Sequence, residues 1–180
     1  MHAPSDVAIA KNTADSTSFD FEAIFRTHYP SVVRAIARII RDPGRAEELA
    51  VEAFWRLWKT SSAHGNAAGG WLRRTAVRLA IDELRKHARR EKYDRLLMRG
   101  RGPRTPDDLF LASEEQGRVR AVLAAMPRRE AEMLLLRSDD TSYEELAATL
   151  SINPASVGTL LGRAKQTFRK AYVKRHGEQS

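Results

Sequence analysis

The sequence predicts an all-α protein made of two small helical domains joined by a flexible linker, the second containing a helix-turn-helix. Three observations predict it. Almost every periodic segment repeats its apolar residues at helical spacing, and no convincing alternating strand appears. The stretch 93–112 breaks that spacing and holds Gly100, Gly102, Pro103 and Pro106. A chain of 180 residues with 42% hydrophobic content is long enough for one domain or two small ones.

The elements follow in order. Residues 1–18 are polar and read as a loose arm. From Phe19 to about Arg41 the apolar positions are Phe21, Ile24, Phe25, Val32, Val33, Ile36, Ile39 and Ile40, with Pro30 expected to kink or break the helix. Asp42-Pro43-Gly44 is a turn, and Arg45 to Lys59 is the next helix. Ser61–Gly70 reads as a loop, and Trp71 to about Arg90 as a long basic helix. These make a first domain over 19–92, with 93–112 as linker. The second domain spans 113–174 and a short tail 175–180 follows. It opens with a helix from Ser113 to Ala125, and Pro127 starts another that runs to about Arg137. No internal repeat is present.

The end of the second domain carries the sharpest motif. Ser142 followed by Glu145 is a capping box that starts a helix. Leu146 and Leu150, one turn apart, give it a buried stripe. Asn153-Pro154 is an N-cap with proline at the first helical position. Ser151-Ile152 leaves room for only a tight turn, so the two helices cross steeply, as in a helix-turn-helix that enters a major groove. On the second helix Val157, Leu161, Ala164 and Phe168 share the side expected to be buried. Ser156, Thr159, Arg163, Gln166 and Lys170 project elsewhere, as groups suited to base edges and phosphates.

Charge and composition narrow the function classes. The net charge is +8 and the chain has no cysteine, which excludes disulfides and cysteine-ligated zinc. Residues 71–104 carry twelve basic and four acidic groups, 105–160 five and ten, and 161–180 six and one. Two basic blocks around an acidic one suggest two contact zones for a polyanion. No signal-length or membrane-length apolar run occurs, so a soluble cytoplasmic protein without membrane insertion is expected. Five scattered histidines, no phosphate loop and no His-Glu-x-x-His motif argue against an enzyme, a metal or a cofactor.

Two helices of the first domain have unusual surfaces. On the Trp71 helix, Trp71, Arg74, Arg78, Arg85 and Arg89 fall within about 60° of one another, opposite Leu72, Ala76 and Leu79. Such a guanidinium column is costly unless something anionic lies along it, and it reads as a track for a nucleic-acid strand. The Arg45 helix spreads its apolar residues over about 240°. That is wider than a core-facing stripe requires, and Trp55 and Trp58 lead the surplus. Either the preceding helices wrap round it or another protein covers it.

Together these residues resemble the extracytoplasmic-function (ECF) sigma factors of bacterial RNA polymerase, from about Phe21 to Lys170. The resemblance implies that the helix Ala46–Trp58 docks on the clamp of the largest subunit of core RNA polymerase, through Glu48, Leu49, Glu52, Phe54, Trp55 and Trp58. It implies that Trp71–Arg85 melts and reads the minus-ten strand, with Trp71, Arg74, Arg78, Arg85 and Arg89 on the opened DNA. It implies that Met126–Arg137 and Ser142–Ala147 belong to a minus-thirty-five domain whose Ser156, Thr159, Arg163, Gln166 and Lys170 contact duplex promoter DNA. An anti-sigma factor covering both domains is a further partner that the family implies. The chain departs from the family at Val51, where glutamine is usual, at Arg78, where asparagine is frequent, and at Gly158-Thr159-Leu160, where a Lys-Ser-Arg run is common. The alternative is a helix-turn-helix transcriptional regulator that never binds polymerase core.

Overall fold

The computed structural model describes residues 19–97 and 111–177. They form seven α-helices: α1 (Phe21–Ile40), α2 (Pro43–Lys59), α3 (Ala68–Leu97), α4 (Leu111–Ala125), α5 (Arg128–Arg137), α6 (Tyr143–Leu150) and α7 (Val157–His176). Among the described residues there is no strand, and no helix is long and apolar enough to cross a membrane. The expected arm at 1–18 lies outside the described residues, as does most of the expected linker.

Helices α1, α2 and α3 pack on one another through Val32, Ile36, Leu49, Ala53, Phe54, Leu57, Leu72, Ala76 and Ala80, all buried. The Oδ1 atoms of Asp20 and Asp42 accept from Ala23 N and Arg45 N, capping α1 and α2. Of the kink or break expected at Pro30, the break does not occur: α1 is one helix through it. The helix runs through it because it is held on both sides of the proline. Phe21, Phe25 and Tyr29 pack on the α2 ring of Phe54 before it, and Val32, Ile36 and Ile39 are buried after it. That packing outweighs one missing backbone bond.

Helix α3 is longer than its apolar pattern suggested, starting at Ala68 and ending at Leu97. Gly69 and Gly70, assigned to a loop from sequence, lie inside it. A Cβ on Gly69 would stand 2.9 Å from the His28 ring, so α1 and α3 approach closely there. Residues 93–97 and 111–112, expected within the linker, are helical, and 98–110 lie outside the described residues.

Helices α4 to α7 form the second unit. Val122, Leu123, Met126, Ala131, Met133, Leu136, Leu146, Leu150, Val157, Leu161 and Ala164 are buried. The capping box is present in both directions: Ser142 N donates to Glu145 Oε2 at 3.0 Å and Glu145 N to Ser142 Oγ at 3.2 Å. Ser151 turns the chain in the left-handed region at φ 54°. Asn153 Oδ1 accepts from Ala155 N at 2.9 Å, and a 3₁₀ turn at Pro154–Ser156 leads into α7. The two units are not separate bodies: α3 packs against α4, α5 and α6, and the core is continuous across them.

Candidate nucleic-acid interface

Three surfaces hold the residues singled out from sequence, and the structure treats them differently. The polar face of α7 is open. Ser156, Thr159, Arg163, Gln166 and Lys170 are all exposed, while Val157, Leu161 and Ala164 face the core. Five polar or cationic side chains in a row therefore meet solvent from a helix fixed by its apolar side. A Cβ at Gly158 would meet only ordinary contact with Tyr143, and one at Gly162 would meet nothing. Packing requires neither glycine, and both leave α7 backbone uncovered on the exposed side.

The outer arc of α2 is also open. Val51, Trp55 and Trp58 are 54%, 56% and 59% exposed, although large apolar residues rarely cluster so on a free surface. The Lys59 ammonium lies 3.4 Å from the centre of a Trp55 ring, and Trp58 sets its edge on Phe21 at 5.2 Å. Glu48 is exposed, and Glu52 is held by Arg56 at 2.7 Å. Leu49 and Phe54 are a correction: at 3% and 1% exposure they belong to the domain core and offer a partner nothing. Their place follows from the inner side of α2, where α1 and α3 cover them. The surplus apolar arc thus divides into a buried half and an uncovered half.

The arginine column of α3 is covered. Arg78 Nε donates to Glu132 Oε1 of α5 at 2.7 Å, and Glu132 is 2% exposed. Arg74 Nε lies 3.7 Å from Glu132 Oε2, and its Nη1 donates to the Thr149 carbonyl at 3.3 Å. Arg85 donates to the carbonyls of Ala124 at 3.2 Å and Met126 at 2.8 Å, at the C-terminal end of α4. Helix C-termini carry unpaired carbonyls and partial negative charge, so a guanidinium fits there. Asp82 pairs with Arg128 and Arg38 with Asp139 across the same joint. The anionic matter along the column is therefore the chain's own second unit.

The joint is tight and polar rather than fully satisfied. Burial and the neighbouring Arg78 pull the Arg74 pKa down, against the attraction of Glu132. The Arg74 Nε is buried without a hydrogen-bond partner. A Cβ on Gly70 would come within 3.2 Å of Thr149 Oγ1, so α3 meets α6 closely where glycine permits it. Trp71 is half-buried and lines a cleft of about 310 Å³ together with Arg73, Arg74 and Glu145. Arg89, beyond the joint, is exposed. Of the five column residues, Arg74, Arg78 and Arg85 thus face protein, contrary to the expectation of an open track. Glu132 escaped sequence reading. Its signal was an acid one turn before buried Leu136, on the inner arc of α5.

Comparison with known proteins agrees with this layout. The family model for sigma-70 region 2 matches residues 24–90, within α1 to α3. The model for sigma-70 region 4 matches residues 116–168, within α4 to α7. The ECF RNA polymerase sigma factor SigE of Mycolicibacterium smegmatis is 25% identical over 98% of this chain and 71% of its own. SigK of Mycolicibacterium vanbaalenii, of the same description, is 24% identical over 91% of this chain and 87% of its own. The probable RNA polymerase sigma factor RfaY of Xanthomonas campestris is 33% identical over 81% of this chain, which spans 38% of that relative's length. With both regions present in order, the chain belongs to the sigma-70 family, and within it to the ECF sigma factors that direct promoter-dependent transcription.

Proposed function

We propose that this chain binds core RNA polymerase through the outer arc of α2, reads an upstream promoter element as duplex with α7, and reads a downstream element as melted strand with α3. The observation that carries the reading is the uncovered arc of Val51, Trp55 and Trp58. A regulator that needed only DNA would have no use for an exposed apolar patch on α2. Exposed aromatics are typical anchors of protein interfaces. On the duplex, Thr159 and Arg163 reach base edges, while Lys170 and Gln166 hold phosphates. On the opened strand, Arg74, Arg78 and Arg85 take phosphates and Trp71 stacks on a base. Capture of the strand offsets unstacking, worth roughly 1.4 kcal/mol per step.

The phosphodiester chemistry belongs to the polymerase, so the chain positions and captures rather than catalyses. Strand capture requires Arg78 to leave Glu132, so the joint between the units opens on the polymerase. An anti-sigma protein that covers both units is the inhibitor this reading admits, and the cytoplasm is where it operates. The test is run-off transcription with sigma-free core polymerase and purified chain. Promoter-specific transcripts are expected. A chain that binds duplex DNA but forms no complex with core polymerase would overturn the proposal in favour of a plain helix-turn-helix regulator.

A further inference from the structure

The joint leaves a cleft that none of these roles uses. It measures about 660 Å³ and lies between α1 on one side and α4, α5 and α7 on the other. That volume falls within the roughly 300–1,000 Å³ of small-molecule sites. Its floor is apolar, from Ile39, Val119, Leu123, Leu134, Leu135 and Phe168. Four of these (Val119, Leu134, Leu135 and Phe168) are only partly buried, so the floor stays wet without an occupant.

The rim has one sign of charge. Arg38, Arg41, Arg120 and Lys165 line the cleft, and among the described residues no carboxylate does. Asp139 neutralises Arg38 from outside the lining. Arg120 is partly desolvated and is repelled by Arg41, with Glu91 as a counterweight. Among the described residues neither Arg41 nor Lys165 has an ion pair. A positive mouth over an apolar floor matches a ligand with a negative head and an apolar body. A nucleic-acid backbone has no use for that floor, and a neutral apolar molecule leaves the rim unanswered.

We propose that this cleft is a binding site for a small amphipathic anion, its apolar chain on Leu123, Leu135 and Phe168 and its carboxylate or phosphate head between Arg41 and Arg120. Both units supply the walls, so the ligand binds the closed arrangement alone. At a hundredfold excess over Kd it favours the closed chain about a hundredfold. The site itself does not depend on the transcription reading. Only its consequence, withdrawal of α3 from promoter strands, rests on it.

The test is calorimetric titration of the full chain with decanoate and, separately, decyl phosphate, each below its micelle concentration, with decyltrimethylammonium as the cationic control. Saturable one-to-one binding of either anion and none of the cation is expected, and the tighter anion names the head group. Arg41→Gln with Arg120→Gln, at two solvent-reaching positions, should weaken binding at least tenfold with an unchanged circular dichroism spectrum. Leu135→Trp, which fills the floor, should abolish it. Equal affinity for the cation, or no loss in the arginine variant, overturns the site. So does concentration-dependent dimerisation that the arginine variant removes while neither anion binds, because a second copy is then the occupant.

Discussion

Glu132→Gln removes one charge from the centre of the joint and almost nothing else. The carboxylate is 2% exposed, bonded to Arg78 Nε at 2.7 Å, and also within 4 Å of Arg74 Nε and Arg128 Nε. Taking one partner from a fully buried pair costs about 3–5 kcal/mol. Here Arg78 and Arg128 are each 42% exposed, so water screens much of that, and the amide still accepts a hydrogen bond. A loss of about 2 kcal/mol is the reasonable figure. The charge is lost between α3 and α5, so the loss falls on the closed arrangement, shifting closed against open about 30-fold. Apparent affinity scales with the fraction of chain in the competent state. Fluorescence anisotropy with a short single-stranded promoter oligonucleotide should therefore show binding up to about 30-fold tighter in the variant. Duplex binding by α7 should not change, because its face is already exposed. A folded Glu132→Gln chain that binds single strands no better than the parent would refute the idea that the joint masks α3.

Trp55→Ala should leave the melting temperature almost unchanged, since the ring is 56% exposed. It should weaken the complex with core polymerase by about 2 kcal/mol, measured by titration of labelled chain. Neutralising Arg74, Arg78 and Arg85 together also opens the joint, yet it should flatten the salt slope for melted-strand binding by roughly 0.7 for each phosphate no longer gripped. An unchanged slope would remove α3 from the DNA-binding surface. The Glu145 carboxyl is held below its ordinary range, chiefly by the Ser142 backbone N–H. Its cap thus contributes fully above the unfolded carboxylate range and is lost as pH falls through the lowered value. Glu145→Gln should remove that acid-side loss from circular dichroism melts recorded between neutral pH and about pH 3.

Much of this was legible in the sequence because local rules governed it. Ser142, Glu145, Asn153 and Pro154 are adjacent signals, and the turn they describe is the turn that forms. The inner stripe of α7 and the outward tryptophans of α2 follow from helical spacing alone. What escaped was set at long range. Pro30 reads as a break unless the packing on either side of it is known. Gly69 and Gly70 read as loop residues until α1 and α6 are placed against them. Leu49 and Phe54 could not be separated from Trp55 by pattern, since which half of a wide apolar arc is covered depends on neighbouring helices. The arginine column reads from sequence as a track for a nucleic-acid strand, whereas in the structure its partners are protein groups. That one of them is Glu132, 54 residues away, is a fact of tertiary structure.

The uneven cover over the three surfaces sets an order of events. In a chain of this shape the outer arc of α2 and the polar face of α7 are open, while Arg74, Arg78 and Arg85 of α3 are covered. If α3 is the strand-binding helix proposed above, such a chain should take up stray single-stranded nucleic acid, including transcripts, only weakly. On that reading the column is uncovered where something else wedges the halves apart, which would confine promiscuous capture to the moment the larger machine is already engaged.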